Sequence, residues 1–197
     1  LFHSWDLEVD GADVEPAMIA YCGTKHGQSE KLRWTTRSFT TTPPDAGSFD
    51  AVVCLGNSLA LAPERDTAAQ VLTAMLAALR AGGVGIIQVL NLWRLCEGPT
   101  TWQKCVRLSR NGSDTVLIKG IHRVGDRGFI DFGELRLSPG AWSHRFHSTT
   151  LLGLGESDLR AAVREVGGCD VHVWGTYGED SYEPSHSADL ILAFRRA

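Results

Sequence analysis

The sequence predicts an α/β domain built on a doubly wound, mostly parallel sheet, with an antiparallel β insertion in its second half. Three consecutive segments carry that prediction. Residues 49 to 55 (FDAVVCL) form a short, Val-rich, nearly all-apolar run, as expected of a strand buried on both faces of a parallel sheet. After the turn GNSLALAP, residues 64 to 80 place Ala69, Leu72, Met75, Leu76 and Leu79 at spacings of three and four, one apolar face of a helix that Gly82 and Gly83 should stop. Residues 84 to 90 (VGIIQVL) read as a second buried strand, so strand, helix and strand follow in the order of a right-handed parallel crossover.

The remaining elements extend this pattern on both sides. Residues 8 to 13 predict a short strand, and Pro16 then sits where a first-turn proline is tolerated ahead of a helix through MIAYC. The segment LRWTTRSF, ending at Phe39, suits an edge position. Residues 115 to 124, 128 to 137 and 141 to 152 predict three antiparallel strands joined by glycine-containing turns at 125 to 128 and 138 to 140. A helix over 157 to 166, ended by Gly167 and Gly168, precedes two last strands near 170 to 177 and 188 to 195. With 197 residues, no repeats and no low-complexity tract, one domain is expected, holding the 115 to 152 insertion within it.

Composition narrows the partners. A net charge of −4 offers no broad basic field, so nucleic acid is not expected as the ligand. Five cysteines, at 22, 54, 96, 105 and 169, form no close pairs and no CxxC, which fits reduced thiols in a cytoplasm. No apolar run approaches the roughly 20 residues of a bilayer span. No membrane partner is expected.

In open α/β sheets ligands bind beyond the carboxyl ends of the strands. Asp13 ends the first predicted strand, where an acidic side chain can accept hydrogen bonds from both hydroxyls of a ribose; it serves equally as a helix N-cap for the segment starting at Pro16. Ser38 and Phe39 end LRWTTRSF, where a ring could stack on a purine beside a short polar group, although Phe39 also suits a core position. Leu55, Gly56 and Asn57 follow the central strand directly; glycine admits a ligand close to the backbone and the amide of Asn57 can donate and accept, while Gly and Asn are also common turn formers. Gly56 to Ala60 imitates the elbow of a serine hydrolase around Ser58, with His186 or Asp189 as conceivable partners, but Pro63 interrupts the approach to the helix and Ala60 stands where the elbow has glycine. HRFH, 144 to 147, is no metal pair, because positions i and i+3 of a strand point to opposite faces.

FDAVVCLGNSLAL closely resembles the fourth-strand motif of the glycine N-methyltransferase group of class I S-adenosylmethionine-dependent methyltransferases. The order GADVEPAM, LRWTTRSF, FDAVVCLGNS, LRAGGVGIIQVLN is also that group's order. The resemblance implies a Rossmann-like fold and S-adenosylmethionine as cofactor. It gives Asp13 the cosubstrate ribose, Met18 and Phe39 the two sides of the adenine, Ser38 the base edge, and the backbone at Leu55 and Gly56 the methionine portion. Asn57 then faces the transferred methyl. Within HRFHSTTLLGLGESDL, Arg145 takes the place of the arginine that clamps an acceptor carboxylate, flanked by His144 and His147 as candidate proton acceptors. Ser38 replaces an aspartate and Leu61 a histidine of that pattern, which implies an acceptor other than glycine: small, anionic and methylated at nitrogen. The group's first strand, its glycine-rich loop and a crossover helix have no counterparts here, so residues are expected before Leu1 and between Leu7 and Glu8. A methyltransferase-like domain without catalysis is the remaining alternative.

Overall fold

The computed structural model describes residues 2–110, 113–138 and 140–197. A 3-10 turn at Phe2–Trp5 leads through residues 6–8 into β1 (Val9–Asp13), α1 (Pro16–His26) and β2 (Leu32–Thr36). Next come β3 (Phe49–Cys54), α2 (Arg65–Ala78) and β4 (Leu79–Leu90). A four-stranded antiparallel sheet follows: β5 (Thr101–Arg110), β6 (Ser113–Val124), β7 (Arg127–Ser138) and β8 (Ala141–Leu152). The chain ends with α3 (Glu156–Glu165), β9 (Gly168–Trp174) and β10 (Asp189–Arg196).

The expected single parallel sheet is present in two pieces. β1 and β2 pair parallel as one sheet, while β3, β4, β10 and β9 form another in that order, β3 parallel to β4 and β10 antiparallel to both of its neighbours. Among the described residues no strand joins β1 to β3, so each keeps one edge unpaired. For the same reason the FDAVVCL run is not buried on both faces: of β3 only Cys54 is buried, and Val53 is 41% exposed. The main core begins at Cys54 and unites α2, β4, α3 and β10 with the root of the antiparallel sheet through Ile121, Ile130 and Leu151. None of α1 is buried.

Helix α2 stops sooner than its glycines suggest. Leu79 turns extended at ψ 143 and its side chain is wholly buried, pairing with Phe49 across the parallel ladder. Gly82 and Gly83 then lie inside β4, where the pairing jumps from Phe49–Leu79 to Ala51–Val84 and the surplus residues form an irregularity. Gly82 takes φ 73 there, a conformation glycine adopts without cost. The insertion has four strands rather than three. The turn between β6 and β7 is limited to Gly125 and Asp126, and the expected turn at 138–140 includes residue 139, which lies outside the described residues.

Candidate active site

The turn after β3 is built by two consecutive left-handed residues, Gly56 at φ 68 and Asn57 at φ 70. Glycine takes that geometry freely, and asparagine is the side chain that tolerates it best. The turn is then fastened to the end of β4. Gly56 N–H donates to Gln88 Oε1 at 2.7 Å, Gln88 Nε2 donates to Asp189 Oδ1 at 2.8 Å, and Leu90 N–H donates to Asn57 Oδ1. A β-carbon placed on Gly56 would meet nothing within 4 Å, so the backbone here faces open space. Leu55, part-buried, accepts the Ser58 hydroxyl on its carbonyl at 2.8 Å.

Beyond β4 a second polar centre forms on Asn91, which is fully buried. Its Nδ2 donates to the carbonyls of Pro184 and Ser187, and its Oδ1 accepts from Trp93 N–H and, at 3.1 Å, from Tyr182 Oη–H. Burial, with the Glu156 carboxylate adding, holds the Tyr182 phenol above its ordinary pKa, so it stays a neutral donor. Trp93, Tyr182, Pro184, Glu156 and Arg160 line an open cleft of about 490 Å³. Tyr177 is raised too, by burial and then by the Asp189 charge.

The other expected residues collect at the carboxyl end of the two-stranded sheet. Asp13 closes β1 opposite Thr36, and its Oδ1 accepts Glu15 N–H at 2.8 Å. It is not the cap of α1: Glu15 is, accepting Ala17 N–H, with Pro16 in the first turn. Met18 is 48% and Phe39 38% exposed, apolar faces left uncovered just beyond the strand ends. Ser38 is committed locally, its hydroxyl within 2.9 Å of Thr40 Oγ1.

Arg145 lies on β8 directly opposite Glu134, on the sheet face whose root carries Ile121 and Ile130 into the core. Glu134 is engaged by Arg136 at 2.7 Å. His147 shares the face of Arg145, whereas His144 stacks between Trp142 and Phe146 on the opposite one, so only His147 remains a candidate proton acceptor there. The hydrolase alternative has no assembled triad: Ser58 is bonded to Leu55, His186 contacts Ser185 and Glu183, and Asp189 is held by Gln88. Among the described residues no group of three or more His, Cys, Asp or Glu is placed to hold a metal, and no helix is long and apolar enough to cross a membrane.

Residues 1–83 match the model of a methyltransferase domain. Solved structures agree on the fold. The sugar N-methyltransferase KedS8 from Streptoalloteichus is 21% identical over 95% of this chain and 70% of its own, with a TM-score of 0.75. CalS10, an amino pentose methyltransferase from Micromonospora echinaspora solved with S-adenosylmethionine, is 19% identical over 95% of this chain and 74% of its own, TM-score 0.74. The fold of this chain is that of class I methyltransferases. The glycopeptide N-methyltransferase MtfA, solved with S-adenosylhomocysteine, shares the same fold at 11% identity, covering all of this chain and 75% of its own with a TM-score of 0.64. No curated protein sequence matches the chain. The turn after β3 and the end of β1 stand at the carboxyl ends of strands, where open α/β sheets bind their ligands.

Proposed function

We propose that this chain transfers a methyl group from S-adenosylmethionine to a nitrogen of a small-molecule acceptor. The observation that carries the reading is the Gly56–Asn57 turn, left-handed at both residues, pinned to β4 through Gln88 and Leu90 and open on its outer side. The residues present suit the cosubstrate. Asp13 has only Oδ1 committed and can take a ribose hydroxyl on Oδ2, Met18 and Phe39 offer uncovered apolar faces for a purine, and the space beyond Gly56 admits a ligand against backbone at Leu55 and Gly56.

When bound, S-adenosylmethionine supplies an electrophilic methyl on a positively charged sulfur. The chain's own residues need chiefly to hold the acceptor nitrogen in line with its lone pair exposed, which positioning alone can accelerate strongly. The nitrogen gains the carbon, sulfur keeps the electron pair, and the nitrogen's surplus proton must leave. Asn57, with Oδ1 held by Leu90, has Nδ2 free to orient the acceptor, and His147 on the face of Arg145 takes the proton. Arg145 makes no ion pair within 4.0 Å among the described residues and grips an anionic group of the acceptor with its planar fork. An uncharged amino sugar is a second reading, favoured by the likeness to sugar N-methyltransferases and by the Glu134 carboxylate beside Arg145, which suits an amine.

Titration calorimetry tests the cosubstrate: S-adenosylhomocysteine should bind, and Asp13→Ala should weaken it by roughly 10- to 100-fold, the worth of a charged hydrogen bond. No binding would end the reading. Acceptor choice is then read from S-adenosylhomocysteine release with amino acids and amino sugars. Arg145→Ala should cost about 2–4 kcal/mol in kcat/KM on an anionic acceptor and little on a neutral sugar.

A further inference from the structure

A backbone N–H can only donate, so the Gln88 atom that lies 2.7 Å from Gly56 N is the carbonyl oxygen of the side-chain amide. The amide nitrogen is thereby turned toward β10, where it donates to Asp189 Oδ1 at 2.8 Å. One directed chain of hydrogen bonds thus crosses three neighbouring strands, from the turn after β3 through the buried Gln88 of β4 to the first residue of β10. The register sets Asp189 opposite Leu90, and Leu90 N–H holds Asn57 Oδ1. Both residues of the turn are tied to the end of β4, Gly56 by a side chain and Asn57 by the main chain.

We propose that Asp189 is a positioning residue for methyl transfer, acting through Gln88 to fix the turn against which the cosubstrate lies. This role presumes the methyl-transfer reading of that turn. The chemistry of the amide is the first argument. Its donor and acceptor ends have nearly the same shape, so packing alone does not decide which way it points. An ionised carboxylate accepts and cannot donate, so Asp189 admits only the orientation that leaves the carbonyl oxygen for Gly56. Without that carboxylate the buried Gln88 amide loses its acceptor and is free to turn over. Its nitrogen would then oppose Gly56 N–H, donor against donor, and the tether of the turn would be gone.

The second argument is what the tether restrains. Asn57 is left-handed at φ 70, a conformation that a residue other than glycine keeps only where its surroundings hold it, and Gly56 before it has no side chain to pack. The third is that the carboxylate has no other work in the fold. Among the described residues the Asp189 side chain accepts from Gln88 alone. The place of β10 in the sheet is kept by main-chain pairing, Asp189 with Leu90 and Leu192 with Ile87, which does not depend on the carboxylate. Removing the side chain therefore separates the position of the turn from the formation of the strand.

Hydrogen exchange at one amide, with titration calorimetry, tests the role on the full chain. In Asp189→Ala the Gly56 N–H should exchange at least about 10-fold faster, a larger change than at the core amides of Ile87 and Leu192. S-adenosylhomocysteine should bind that variant about 10-fold more weakly, the worth of one hydrogen bond. Asp189→Asn keeps an acceptor oxygen for Gln88 and should bring both quantities back near those of the unsubstituted chain. Because Asp189 acts through Gln88, adding Asp189→Ala to Gln88→Leu should cost no further affinity. Unchanged exchange at Gly56, a core that quickens as much as Gly56, an Asn variant as impaired as the Ala one, or additive losses in the double variant would each overturn the proposal. Failure of the unsubstituted chain to bind S-adenosylhomocysteine would overturn the methyl-transfer reading and this role together, whereas equal binding with and without the Asp189 carboxylate would overturn this role alone.

Discussion

Gln88 holds the site turn with both ends of one amide, taking Gly56 N–H on oxygen and giving its own N–H to Asp189. It is also one of the few buried polar residues, 8% exposed. Gln88→Leu leaves two polar groups unpaired and should destabilise the chain by about 1–3 kcal/mol in urea unfolding, while Gln88→Glu should be worse near neutral pH because it sets a carboxylate against Asp189. The thiols make a separate check: burial pushes Cys54 up to about 11, so it stays protonated at pH 8 and should resist iodoacetamide, whereas exposed Cys96 and Cys169 should react. Gly56 and Asn57 were legible in the sequence because turn formers directly after an apolar run mark a strand end. Gln88 and Asp189 were not, since their partners lie 32 and 101 residues away and no local spacing announces them. Asn91 and Tyr182, 91 residues apart, carry no local signal for the same reason.

At the scale of elements, the strand–helix–strand core was visible and its limits were not. The missed strand β5 explains itself: its pairing slips between Trp102 and Lys104, so Trp102 and Cys105 share a face across an odd spacing and the two-residue alternation that marks a strand is broken. The nearly all-apolar β3 run promised burial on two sides, but an unpaired edge leaves half of it open. The same open edges make β1 and β2 the weak part of the molecule. Hydrogen exchange should find the amides of β1 and β2 exchanging through local opening, while those at the centres of β4 and β10, which give Ile87, Val89, Leu190, Leu192 and Phe194 to the larger core, open only with global unfolding. Equal protection in both sheets would mean that the edges are covered.

Over the whole molecule, the core that starts at Cys54 and the β1–α1–β2 unit share no member of the main cluster, so heat should unfold them in two calorimetric steps rather than one. The residues proposed to hold the cosubstrate are divided in the same way, with Asp13, Met18 and Phe39 on one unit and Leu55, Gly56 and Asn57 on the other. A ligand that grips both units acts as a strut between them. Saturation at about 100 times Kd adds roughly 2.7 kcal/mol to whatever must unfold before the ligand can leave. With S-adenosylhomocysteine present the lower transition should climb toward the upper one, and at high enough occupancy the two should fuse into a single cooperative melt.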